Sequence, residues 1–208
     1  MTTRERALDL HKAIKSDVLE ENKRLKEIKS ILEAAKTQAN VGEVIQYQVT
    51  QSTAIHIAFE RGGEDTISLI LSYLPFEIFT KTLNVLNNNA HTPIECLMFR
   101  TRVDAKALGW VIGACRKHKL LNALLEAKGG FERNLFHLIG NQQQENKKES
   151  LLETVKTALD GAGHSVVAKA LEQEDKFGTK ASALFTTGQF KMERFFSWEE
   201  KFYDNLPS

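Results

Sequence analysis

Three short stretches of the chain repeat one order of polar and apolar positions. Thr53-Ala54-Ile55-His56-Ile57-Ala58, Thr92-Pro93-Ile94-Glu95-Cys96-Leu97 and Asn134-Leu135-Phe136-His137-Leu138-Ile139 each open on a polar residue, then place one further polar residue among apolar ones. Their first residues stand 39 and 42 positions apart. The chemistry is that of a helix start, in which Thr or Asn accepts from amides that lack an intrahelical partner, and Pro93 sits where its missing N–H costs nothing. A second helix is expected after each, over 64–74, 104–115 and 148–159. In the first of these Ile67, Leu69, Ile70, Leu71 and Leu74 recur at helical spacing. A third leucine-rich piece follows at 75–86, 118–127 and 164–172, and runs into Asn87-Asn88-Asn89, Lys128-Gly129-Gly130 or the polar stretch 173–178. The unit reads helix, helix, helix, turn, so the predicted fold class is all-α.

A stack of such units leaves an apolar face bare at each end, so caps are expected. In 4–37, Leu10, Ile14, Val18, Leu25, Ile28, Leu32 and Ala35 form a helical stripe among charges, with Asp17 and Glu20 a candidate capping box that restarts the helix. The favoured role is a cap folded on the first unit. The rival is a coiled-coil dimer, but the stripe is shorter than the three or four heptads such a seam needs, so a monomer is expected. At the other end Phe185, Phe190, Phe195, Phe196, Trp198, Phe202 and Tyr203 crowd together. A closing helix at 190–206 would bury them, and an exposed partner-binding segment would use them.

Composition narrows the function. The chain of 208 residues is 42% hydrophobic and 26% charged, with a formal net charge of +1. This balance lacks the basic footprint of a nucleic-acid binder. The longest apolar stretch, 67–74, is far too short to span a membrane, and residues 1–6 are polar with no apolar signal segment behind them. The two cysteines, Cys96 and Cys115, are too few for a disulfide framework and suit a reducing, cytoplasmic setting.

Little here suggests an enzyme. Cys115 and His118 supply only one pair of metal ligands, short of the three or four a site needs. Cysteine catalysis would join Cys96 or Cys115 to His56, His91, His118, His137 or His164, but Cys96 falls in a packed register where a thiol is inert. Gly161-Ala162-Gly163 lacks the strand and lysine of a phosphate loop. No cofactor or metal is expected.

The units resemble ankyrin repeats. Thr53-Ala54-Ile55-His56-Ile57-Ala58-Phe59-Glu60-Arg61-Gly62, followed by Asp65, Ile67, Leu69 and Ile70, is similar to that family's T-P-L-H-x-A-A-x-x-G and its second-helix pattern. Asn87 through Pro93 resembles its D-x-x-G-x-T-P turn, with Asn87 in the Asp place and Ala90 in the Gly place. Asp175-Lys176-Phe177-Gly178 keeps both residues. The departures are a period near forty rather than about 33, Glu95 in place of His, and Asn134-Leu135 in place of Thr-Pro. Longer divergent arrays of this kind look similar to those in effector proteins of intracellular bacteria such as Legionella and Coxiella.

The resemblance implies an ankyrin-like helical repeat solenoid, with 1–47 as N-terminal helical cap, 48–190 as degenerate repeats and 191–208 as aromatic C-terminal helix or tail. It implies that His56 and His137 brace neighbouring turns, and that another protein binds the concave face. That face would carry Val49, Thr50, Ser52, Glu60 and Arg61 in the first unit. The second would contribute Asn88, Asn89, His91, Phe99 and Arg100, and the third Arg133, Asn141 and Gln142. Arg and aromatic side chains most often dominate such interfaces, which singles out Arg61, Phe99, Arg100 and Arg133. It further implies an effector or adaptor role, cytoplasmic or secreted into a host cell.

Overall fold

The computed structural model describes residues 1–16, 20–37, 40–101, 105–159 and 164–185. Within them the protein is mostly helical. The helices are α1 (Thr3–Lys15), α2 (Glu21–Lys36), α3 (Val41–Gln46), α4 (Ala54–Arg61), α5 (Glu64–Ser72), α6 (Phe76–Leu83), α7 (Pro93–Arg100), α8 (Lys106–Lys117), α9 (Leu121–Glu126), α10 (Leu135–Gly140), α11 (Glu145–Leu159) and α12 (His164–Glu172). Short 3-10 turns occupy Gly130–Glu132 and Ala181–Phe185. Extended pairing among the described residues is confined to isolated antiparallel bridges, Val49 with Ser52 and Glu174 with Lys180.

Each helix packs on the helix three places along. α4 lies on α7 and α7 on α10, α5 on α8 and α8 on α11, α6 on α9 and α9 on α12. The N-terminal helices obey the same rule, with α1 on α4, α2 on α5 and α3 on α6. The 3-10 turn Ala181–Phe185 packs on α10, in the place a further first helix would take. α1, α2 and α3 thus follow the same three-helix register as the helices after them.

The first helices start where the pattern puts them. Thr53, Thr92 and Asn134 are N-caps whose side chains accept from the backbone amides of His56, Glu95 and His137, and each of those residues reaches back to its cap. Thr2 caps α1 in the same way, with Glu5 in the third position. The capping box expected at Asp17 and Glu20 falls on Asp17, outside the described residues. Glu20 precedes α2 without a side-chain capping bond.

Apolar stripes meet between the rows. In α8, Ala107, Leu108, Val111, Ile112 and Cys115 are buried, and in α5 Ile67, Ile70 and Leu71. Phe59, Phe79, Phe136 and Phe185 are fully buried, each contributing roughly 1.5–3 kcal/mol. Leu10, Ile14, Ile28 and Leu32 close the core at the N-terminal end, and α1 packs on α2, α3 and α4. The predicted helix at 190–206 and the glycines at 161–163 lie outside the described residues. No described helix is long and apolar enough to cross a membrane.

Candidate functional site

The turns between units are built from two recipes. Asn87 and Asp175 share one of them. The Asn87 side-chain oxygen accepts from the amides of Asn89 at 2.9 Å and His91 at 3.0 Å. The Asp175 carboxylate accepts from those of Phe177 at 2.9 Å and Thr179 at 3.0 Å. In both, the backbone amide of the first residue donates to the carbonyl four positions on. The fourth residue is left-handed, with φ 57° at Ala90 and 75° at Gly178. The two turns therefore match residue for residue, although one carries Ala where the other carries Gly. The Thr179 and Phe177 amides, helped by Arg133, hold the Asp175 carboxyl below its ordinary range.

The other recipe places two consecutive non-glycine residues in the left-handed region, Thr50 and Gln51 in the first turn and Phe131 and Glu132 in the third. Val49 and Ser52 close the first with a pair of backbone bonds, and Gly129 donates to the Arg133 carbonyl at 2.7 Å in the third. Side chains and backbone tie turn to turn: the Gln48 amide donates to the Leu86 carbonyl at 3.3 Å, and Lys176 N–H to the Phe131 carbonyl at 2.9 Å.

The third residue of each first helix also crosses to the next unit. His56 accepts the Thr53 amide on Nδ1 at 3.2 Å and lies 3.1 Å from the His91 carbonyl through Nε2. His137 places Nδ1 3.3 Å from the Asn134 amide and Nε2 2.8 Å from the Thr179 carbonyl. A carbonyl can only accept, so Nε2 carries a proton in both rings. Burial lowers the pKa of His56, opposed by its hydrogen bond to the His91 carbonyl. Glu95 does the corresponding work with opposite polarity: its carboxylate accepts from Thr92 N–H at 2.8 Å and from Gly130 N–H at 2.9 Å.

The residues expected to meet a partner fall into two groups. Glu60 and Arg61, Phe99 and Arg100, and Asn141 and Gln142 occupy the C-terminal ends of α4, α7 and α10 and the positions just beyond, which the packing of those helices places in one row. Arg61 is exposed and pairs with its neighbour Glu60 at 3.4 Å. The Phe99 ring is exposed and lies 4.6 Å from that of His91. Asn141 is exposed at the end of α10, and Gln142 donates to the Leu138 carbonyl at 3.1 Å. Arg100 differs from the others. Its Nη1 donates to the Gly62 carbonyl at 2.6 Å and the Phe59 carbonyl at 3.4 Å, and its guanidinium lies 5.4 Å from the centre of the Trp110 ring.

Arg133 belongs to the turns. Its Nε lies 3.4 Å from the Asp175 carboxylate, and its guanidinium is 5.3 Å and 5.9 Å from the ring centres of Phe131 and Phe177. The two rings are 5.8 Å apart and remain 57% and 66% exposed. This Phe131–Arg133–Phe177 cluster joins the third and fourth turns. The sequence singles out Arg133, whereas the two phenylalanines carry no local signal beyond being an aromatic residue in a polar turn.

Both thiols are buried. Burial, with Glu60 and Glu95 nearby, pushes Cys96 up to about 12, and burial alone raises Cys115. The Asn87 side-chain amide lies 3.3 Å from the Cys96 sulfur. His118 meets Ser68 at 3.2 Å through Nε2. Among the described residues no three or more His, Cys, Asp or Glu side chains gather as a metal site. His11 on α1, which no sequence motif singles out, is buried, and among the described residues neither of its ring nitrogens has a hydrogen-bond partner. Burial, then Lys15 and His56, lower its pKa to about 4. Comparison of the chain with protein-family models and with curated proteins finds no match.

Proposed function

We propose that the protein is a divergent ankyrin-like solenoid that holds another protein along its turns and the ends of its first helices. The observation that carries this reading is the exposure of Phe131 and Phe177 beside Arg133 on adjoining turns, with Phe99 exposed at the end of α7. Aromatic and arginine side chains presented on rigid elements are what protein interfaces most often use as anchors. The matched turns of Asn87 and Asp175, and the capping boxes of Thr53, Thr92 and Asn134, support the ankyrin-like part of the reading. The buried thiols weigh against cysteine catalysis. Through its resemblance the proposal includes an effector or adaptor acting in a host-cell cytoplasm.

The test is capture from host lysate by immobilised protein, set beside a Phe99→Ser/Phe131→Ser/Phe177→Ser variant whose helical circular dichroism matches the parent. A partner retained by the parent and released by the variant supports the reading. Equal capture by both overturns this face as the binding surface.

A further inference from the structure

We propose that the groove between α2, α5 and the end of α8 binds a multiply charged anion of the phosphate class. The groove is open to solvent, has a volume of about 550 Å³ and is lined by residues of α2, α5 and the end of α8. Asn22, Leu25, Lys26 and Lys29 line one wall, and Asp65, Ser68, Leu69 and Ser72 the other. Both sets follow the i, i+3, i+4, i+7 spacing, so each helix turns one whole stripe into the groove. Lys117 and His118 close it from α8.

Among the lining residues, Leu25 and Leu69 are half-buried and apolar, and Lys26, Lys29 and Lys117 are exposed. None of these three lysines forms a salt bridge among the described residues. Asp65 is the one carboxylate among the lining residues. It lies in the first turn of α5, where the helix N-terminus already draws on its negative charge. Ser68 steadies the imidazole of His118 at 3.2 Å, and the hydroxyls of Ser68 and Ser72 and the amide of Asn22 provide neutral polar groups beside the cations. Three exposed lysines lining one basin have stems long enough to turn their charges together toward an anion of charge two or more. Lysine meets phosphate oxygens as a point charge without demanding one geometry.

Such an anion has two sources, a free phosphate compound and the headgroup of a phosphorylated lipid. Calorimetric titration with inorganic pyrophosphate tests the shared chemistry. Binding that weakens with added salt, and falls about tenfold or more in the Lys26→Ala/Lys29→Ala/Lys117→Ala variant, is the expected result. Lys81→Ala, a like change at an exposed position of α6, should leave it intact, and Asp65→Asn should tighten it.

Flotation with phosphatidylcholine vesicles, with and without phosphatidylinositol bisphosphate, separates the sources. Recruitment only by the phosphorylated lipid, lost in the triple variant, assigns the headgroup. Pyrophosphate binding without recruitment assigns a free compound. The proposal is overturned if the triple variant binds as the parent does, if Lys81→Ala weakens binding equally, or if the parent binds neither probe. These residues are distinct from those tested for protein capture, so either assignment can fail alone.

Discussion

Glu95 and Gly130 are joined at 2.9 Å by a carboxylate that also closes the cap of its own helix at Thr92. The glycines of the third turn make room for it. A Cβ on Gly129 would lie 3.0 Å from the carboxyl carbon of Glu95, and one on Gly130 would lie 2.9 Å from its oxygen. Where His56 and His137 face a carbonyl, Glu95 faces an N–H. The expected outcome for Glu95→Ala is a loss of about 1–3 kcal/mol, as the cap and the Gly130 amide lose their acceptor together. Glu95→His should not restore it, since Nε2–H would meet another donor. Urea midpoints for the two variants and for Gly130→Ala check this.

The interface of α4 with α7 gives a test of register. Ile55 and Leu97 are fully buried, so Ile55→Ala and Leu97→Ala should each cost about 2–5 kcal/mol. Chemical denaturation reads the effect, and shifts within experimental error at both positions would contradict the packing.

Arg61 and Arg100 should separate stability from surface chemistry. Arg61→Ala removes an exposed neighbour pair and should change stability by less than about 0.5 kcal/mol. Arg100→Ala removes the donors to Gly62 and Phe59 and the contact with Trp110, and should cost about 1–3 kcal/mol. A thermal melt that leaves both variants at the parental midpoint would show that the Arg100 bonds add nothing.

Acid should act through His11 before it reaches the carboxylates. The folded-state pKa of about 4 lies below the ordinary imidazole value, so the unfolded chain takes up the proton first. Stability is then full above about pH 6.5 and declines as pH falls towards 4, by about 3 kcal/mol at most. The lowered carboxyls of Asp175 and Glu172 contribute stability that is present above the ordinary carboxyl range and lost at still lower pH. In a His11→Leu variant the decline between pH 6.5 and 4 should shrink, as measured by urea midpoints across that range.

The cap positions and the order of helices were legible because their causes are local. A Thr or Asn followed three residues later by His or Glu states its own hydrogen bonds, and Ile67, Ile70 and Leu71 state their buried face. Thr2 with Glu5 carries the same capping signal, but no copy of the repeated motif accompanies it to mark the start of a unit. The second role of Glu95 was not legible, since its partner lies 35 residues away and the polarity of that partner depends on how the turn folds. Arg100 read as a surface residue for a related reason: the carbonyls it meets belong to the end of α4. The groove of Lys26, Lys29 and Lys117 needed three helices brought together, and no single segment announces it.

Among the described residues, the substantial contacts of any helix reach no farther than the third one along the chain. Order is therefore communicated from neighbour to neighbour, and a lesion in α10 reaches α1 only through the helices that lie between them. The same geometry makes length a separable trait. Excising or duplicating a whole run of three helices with its turn would leave every remaining helix a neighbour of the same kind. An insertion of one helix alone would put each row out of step with the next.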